Sequence, residues 1–181
     1  MPSRSWILNR LAYAILDRLR STAARPRPPD RHVGEVLLRP AGREDVTAVH
    51  RLYQANLEGG PQQANFERLI HRFPQLCWIA SRDGECLGYA AGRVHRGFLT
   101  KRPSAFLFSI AVTETARGLG MGRALVEAFW DSAKSLGLAE IDLEAEQGND
   151  VALRLYTSLG LEPLRVPRTA DEHTVYMAAR L

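Results

Sequence analysis

The chain has 181 residues, 45% hydrophobic and 24% charged, with a formal net charge of +4; these are globular values, and the length suffices to bury one good core. Two cysteines, Cys77 and Cys86, are too few for a disulfide scaffold and show no zinc-ligand spacing. The positive charge is concentrated: residues 1–33 hold seven arginines against two acids, whereas residues 34–181 hold 17 basic and 18 acidic residues, so no basic domain surface for nucleic acid is expected.

From Trp6 to Arg20, Leu8, Leu11, Ala12, Ile15 and Leu19 recur at helical spacing, which predicts an amphipathic helix within residues 1–20. Asn9, Arg10 and Asp17 make it too polar for a membrane span, and no small-residue cleavage site follows. Packing on its own domain, a homodimer contact, a membrane-surface contact and a protein partner all stay open for it. The Pro/Arg-rich run Arg25 to Asp30 lies in a segment, 21–33, that reads as an extended linker. Residues 34–181 then read as one domain, and reduced cysteines flanking a turn at Asp83-Gly84 fit a cytoplasmic protein.

The periodicity predicts strand 36–41, helix 43–57, helix 63–73, strand 76–81, a hairpin turn at 82–85, strand 86–95, strand 105–113, helix 120–136, strand 139–146, helix 150–159, strand 162–167 and strand 174–180. This is an α/β domain with a mixed sheet and helices on both faces.

Ile110 to Leu125 reads as an apolar strand, a short turn with Gly118, Gly120 and Gly122 at alternate positions, and an amphipathic helix. The first turn of a helix carries backbone N–H groups without partners and the positive end of the peptide dipoles. Glycines keep side chains out of the way, and Arg117 and Arg123 add full charge, so the turn is suited to a phosphate or pyrophosphate. Neither a Walker loop nor a dinucleotide fingerprint fits the spacing. A plain strand-to-helix loop without ligand is the alternative.

Arg117-x-x-Gly120-x-Gly122 resembles the [RQ]-x-x-G-x-[GA] signature of the GNAT superfamily of N-acetyltransferases. The resemblance extends to Val36-Leu37-Leu38-Arg39-Pro40-Ala41 with Arg43-Glu44-Asp45, and to Leu143-Glu144, Asn149-x-x-Ala152-x-x-Leu155-Tyr156 and Leu159-Gly160-Leu161. In this second half the chain is most similar to the branch that acetylates protein N-terminal amines. Two positions depart from the family pattern: Leu161 where phenylalanine is usual, and Glu146 where a basic residue is common.

The resemblance implies a mixed, mostly antiparallel central sheet flanked by helices, and acetyl-CoA as acetyl donor with no metal. Backbone groups of Ile110, Ala111 and Val112 would hold the pantetheine arm. The loop Arg117, Gly118, Leu119, Gly120, Met121, Gly122 and Arg123 would hold the pyrophosphate. Tyr156 would be the acid toward the CoA sulfur. The acceptor would be an amine on a protein N-terminus, a lysine or a small molecule such as a polyamine, amino acid or aminoglycoside. A CoA-binding regulatory module without turnover is the rival from another class.

The residues themselves add to this. Asn149 and Tyr156 are seven apart, so they share a helix face to within about 20°, and Asn149 is also a good N-cap; without the family, Tyr156 reads as a core aromatic. On the strand 141–146, alternation puts Asp142, Glu144 and Glu146 on one face. Three acids on one face should meet water, which sets that face beside a cleft, with Glu144 as candidate base. The histidines show no ligand spacing and read mostly as surface or capping groups. The loops Asn56 to Gln62 and Arg165 to His173 are the expected acceptor walls, with Glu58 able to attract an ammonium group.

Overall fold

The computed structural model describes residues 26–56, 62–164 and 173–181. The N-terminal helix expected within 1–20, Glu58 and most of both expected acceptor loops lie outside them. Among the described residues no helix is long and apolar enough to cross a membrane.

Eight strands form one sheet: β1 (Arg31–Val33), β2 (Val36–Pro40), β3 (Cys77–Arg82), β4 (Glu85–Arg96), β5 (Pro103–Val112), β6 (Glu140–Glu146), β7 (Glu162–Pro163) and β8 (Thr174–Arg180), in the spatial order β1-β2-β3-β4-β5-β6-β8-β7. Neighbours are antiparallel except β5 and β6. The helices are α1 (Val46–Asn56), α2 (Gln63–Arg72), α3 (Met121–Ser135) and α4 (Asp150–Ser158). The expected α/β architecture is therefore present.

Two boundaries differ from the sequence reading. The sheet begins inside the segment read as linker, because Arg31–Val33 pairs with Val36–Leu38 through a tight turn and Arg31 reaches Asp131 on α3 at 2.7 Å. Composition hid this strand, since Arg-His-Val carries no apolar alternation. The helix expected from residue 43 opens as a 3-10 turn at Arg43–Asp45, where Asp45 accepts from the Gly42 amide at 2.8 Å and from Arg39 at 2.7 and 2.8 Å. Pairing described for β7 covers only Glu162 and Pro163 of the expected strand 162–167.

Alternation along the strands sorts side chains into two cores. On one face Leu38, Trp78, Ala90, Leu107, Ile141, Leu143 and Met177 pack against Leu125, Val126 and Phe129 of α3 and Tyr156 of α4. On the other, Ile79, Tyr89, Ala91 and Ala111 pack against Val49 and Leu52 of α1 and Phe66 and Ile70 of α2. The buried Trp78 indole donates from Nε1 to Ser132 Oγ of α3 at 3.0 Å, so its N–H is satisfied inside the first core. Cys77 and Cys86 sit on adjacent strands, both as free thiols.

Candidate active site

The glycine turn connects β5 to α3. Gly118 and Gly120 have φ of +75° and +77°, the left-handed region that side chains with a Cβ resist. A Cβ at either would meet nothing within 4 Å, so glycine is required by backbone conformation rather than by crowding. Gly120 is the N-cap of α3 and supplies no side-chain cap; the first helical bond runs from Ala124 N to Gly120 O at 3.0 Å. The first turn of α3 therefore carries no side-chain cap on its amides, the arrangement suited to an anion.

Both flanking arginines are tethered at the rim. Arg117 donates from Nη2 to Asn56 Oδ1 at 2.7 Å and lies 3.7 Å from Glu114. Arg123 donates to Ser158 Oγ at 2.5 Å and to Glu127 at 3.3 Å. Each remains about half exposed, at 56% and 44%, so the positive charges stay available beside the turn. Leu119 is 66% exposed, and Met121 is turned into the core.

Behind this turn the sheet opens. β5 and β6 pair only at Ala105–Ile141, Phe106–Asp142 and Leu107–Leu143, although β5 continues to Val112 and β6 to Glu146. A bulge contributes: Ala91 pairs with Ser109 and Gly92 with Leu107, leaving Phe108 unopposed on β5. Such an extra residue bends the strand that carries it. Ile110, Ala111 and Val112 still pair with β4 on one edge; their other edge has no strand partner among the described residues and lines the gap. The bulge and the splay were not visible in the sequence, because they depend on register between strands.

Glu144 lies on β6 just past its last pair with β5, and Tyr156 packs on the opposite face of the sheet. Tyr156 lies in the core under α3 and α4, 6% exposed, and burial pushes its phenol up to about 12. No hydrogen bond from its hydroxyl to protein is found among the described residues, and that oxygen is not among the fully buried unpaired atoms, so it borders open space. Glu144 is exposed on the other face. Partial burial of its carboxyl still raises its pKa, against the opposing pull of Arg93 and His95. Asn149 caps α4, its Oδ1 accepting from Ala152 N at 3.1 Å. Asn149 thus stands at the helix start with its carbonyl oxygen engaged in the cap, while Leu155 and Ser158, further along α4, approach the α3 turn.

The acidic face of β6 corrects the sequence reading. Asp142 and Glu140 are both fully buried, at 0% exposure, and only Glu144 and Glu146 meet water. Buried partners replace water: His95 Nε2 lies 2.5 Å from Asp142 Oδ2, and Glu140 accepts backbone amides of Leu99 and Thr100. His95, 7% exposed, is consequently neither a surface nor a capping residue. An alternating run of acids signals one face of a strand, but not which of them the fold covers. Arg93 was also missed; its guanidinium lies 4.7 Å from the Phe106 ring centre and 5.7 Å from that of Phe108.

Comparison with known proteins bears on this geometry. The sequence model of the Acetyltransferase (GNAT) family matches residues 46–161. An N-alpha-acetyltransferase from Sulfurisphaera tokodaii is 30% identical over 154 residues, spanning 80% of this chain and 92% of the relative. The ribosomal protein bS18-alanine N-acetyltransferase of Escherichia coli is 39% identical over 118 residues, spanning 60% and 78% of the two chains. In fold, the chain is similar to a crystal structure of the NatC complex bound to Gag peptide and CoA, with a TM-score of 0.72 at 22% identity over 82% of this chain and 99% of that one.

Proposed function

The chain belongs to the acetyltransferase (GNAT) family, and on that premise we propose how its residues carry out acetyl-CoA-dependent N-acetylation. It is an acyltransferase acting on an amine acceptor. Acetyl-CoA supplies a thioester-activated acetyl group. The residues present suit that donor: uncapped first-turn amides at Gly120–Gly122 and the cations Arg117 and Arg123 match a pyrophosphate, and the free edge of Ile110–Val112 matches an amide-bearing arm. In this reading Tyr156 of α4 and its N-cap residue Asn149 complete the donor site.

In our reading Glu144 takes a proton from the acceptor amine, directly or through an ordered water. Desolvation raises its pKa against the pull of Arg93 and His95, which moves the carboxylate toward the range that suits a base near neutral pH. Tyr156 gives its phenolic proton to the departing sulfur; with a pKa near 12 it remains protonated at neutral pH. Donor and acceptor meet at once, in a ternary complex, and the acetyl group passes without a covalent stop on the protein.

The observation that carries this is the abrupt end of β5–β6 pairing directly behind an uncapped glycine turn. For the acceptor we favour a protein N-terminal amine, supported by the names of the Sulfurisphaera and Escherichia relatives. The test is thiol release from acetyl-CoA in the presence of peptides with free N-termini, N-blocked lysine peptides, and small amines. Release with the free-N-terminus peptides supports the reading; release with lysine or small amines alone overturns its acceptor half.

A further inference from the structure

The closed end of the β5–β6 junction buries three ionisable side chains outside the proton transfers described above. Burying such groups costs several kcal/mol each unless they are paired, and here the pairing converges on one segment, Gly97 to Thr100, which joins β4 to β5. Glu140 Oε1 accepts from Leu99 N at 2.9 Å and Oε2 from Thr100 N at 2.6 Å; Asp142 accepts from Phe98 N at 3.4 Å and pairs with His95 at 2.5 Å. A Cβ at Gly97 would fall 2.1 Å from Glu140 Oε1 and 2.3 Å from Ser104 Oγ, so glycine lets the segment lie this close to the acids.

The consequence of this clip is the position of Phe98. Its ring meets Tyr176 edge-on at 5.6 Å, His95 at 5.2 Å and Phe106 at 6.1 Å. Tyr176 pairs with Glu144 in the β6–β8 register, which puts both on the same face. Phe98 and Tyr176 are each half-buried, leaving aromatic surface open next to the candidate base.

We propose that Phe98 and Tyr176, backed by the buried Phe106, form a specificity wall that selects an acceptor with an apolar group beside its amine, and that Glu140, Asp142 and His95 are the positioning residues that hold it. The proposal rests on the reading of Glu144 as base, since that carboxylate fixes where the amine sits. Charge argues against a basic neighbour: the Arg93 guanidinium stands over Phe106 at the edge of the wall, and a second cation there would be repelled. An apolar side chain instead removes itself and two aromatic surfaces from water, without leaving a polar group unpaired.

The test is a matched acceptor series in two chemistries: peptides starting with Gly, Leu, Lys or Glu, and plain primary amines of increasing apolar size. The Leu-first peptide should exceed the Gly-first one in kcat/KM by about tenfold, the low end of what apolar pockets discriminate. Phe98→Ala should collapse that ratio, and Phe98→Leu should restore part of it. The stabilisation by acetyl-CoA reports folding of each variant. A preference for Lys-first or Glu-first peptides, or an unchanged ratio in folded Phe98→Ala, overturns the wall. If peptides are inert but the amines show the same size preference and its loss in Phe98→Ala, the wall stands and the N-terminal acceptor reading falls.

Discussion

Glu144 and Tyr156 are twelve residues apart in the chain and lie on opposite faces of the sheet. Leu143 and Ala145 share the Tyr156 core, so strand alternation turns Glu144 away from it. In the mechanism proposed above, both address one ligand through the gap where β5 and β6 part. In the proposed mechanism the sheet itself would hold acid and base apart.

For the acid, Tyr156→Phe removes one hydroxyl and leaves the buried ring in place. Turnover at saturating acetyl-CoA should fall by about 10²- to 10⁴-fold, the usual loss for a positioned acid. Stability of the acetyl-CoA complex should change little. Because the wild-type phenol is pushed up to about 12, its ionisation should cause no fall in rate between pH 7 and 10. Steady-state rates and thermal shifts on the same preparation check both halves, and wild-type turnover in the variant would leave Tyr156 a packing residue.

The base should reveal itself on the acid side of the profile. Burial raises the Glu144 pKa while Arg93 lowers it, so kcat/KM should decline as pH falls through a value above the ordinary glutamate range. Arg93→Met removes the lowering influence, and the limb should move to higher pH. Glu144→Gln should abolish the limb along with most of the activity. A limb that stays in place in Arg93→Met would separate it from Glu144.

How legible this site was depended on whether a signal is local. The cradle lies within seven consecutive residues, Arg117 to Arg123, and its chemistry follows from glycine conformation and helix ends, so it could be read directly. The Asn149 cap is local as well, since its Oδ1 accepts from Ala152 N three residues on, and a helix start can be read from so short a window. The splay and the Phe108 bulge depend on register between strands brought together by the fold, which no window of sequence contains. The burial of Asp142 is of the same kind: its partner His95 is 47 residues away, and the segment that seals it comes from the β4–β5 connection. Arg31 to Val33 failed for another reason, since an edge strand of three residues needs little hydrophobic pattern to pair.

The buried acids should leave opposite marks on stability. Asp142 has its pKa raised from 3.8 to about 6, chiefly by desolvation, with Glu140 adding to the rise and His95 opposing it. A raised folded pKa means a contribution present below pH ~4 and lost as pH rises through about 6. Glu140 is held below its usual range: hydrogen bonds from Thr100, Asp142 and the Leu99 and Thr100 amides outweigh desolvation. Its contribution is present above that range and lost as pH falls through the lowered value. Asp142→Asn should therefore flatten the wild-type change in melting temperature between pH 4 and 6, and Glu140→Gln should lose most at neutral pH. Identical pH dependence in wild type and Asp142→Asn would show that Asp142 does not titrate there.

The cradle can be tested with a substitution whose effects on folding and on binding have opposite signs. A Cβ at Gly122 would meet Leu155 Cδ2 at 3.6 Å, an ordinary contact, and its backbone needs no left-handed conformation. Aspartate there places a negative charge in the first turn of α3, where the helix dipole favours it by about 0.3–1 kcal/mol. Gly122→Asp should thus melt no lower than wild type without ligand. With acetyl-CoA the same charge faces a pyrophosphate. Wild-type protein at 100 times the dissociation constant should gain about 2.7 kcal/mol, and the variant should gain almost none. A full acetyl-CoA shift in folded Gly122→Asp would move the pyrophosphate away from this turn.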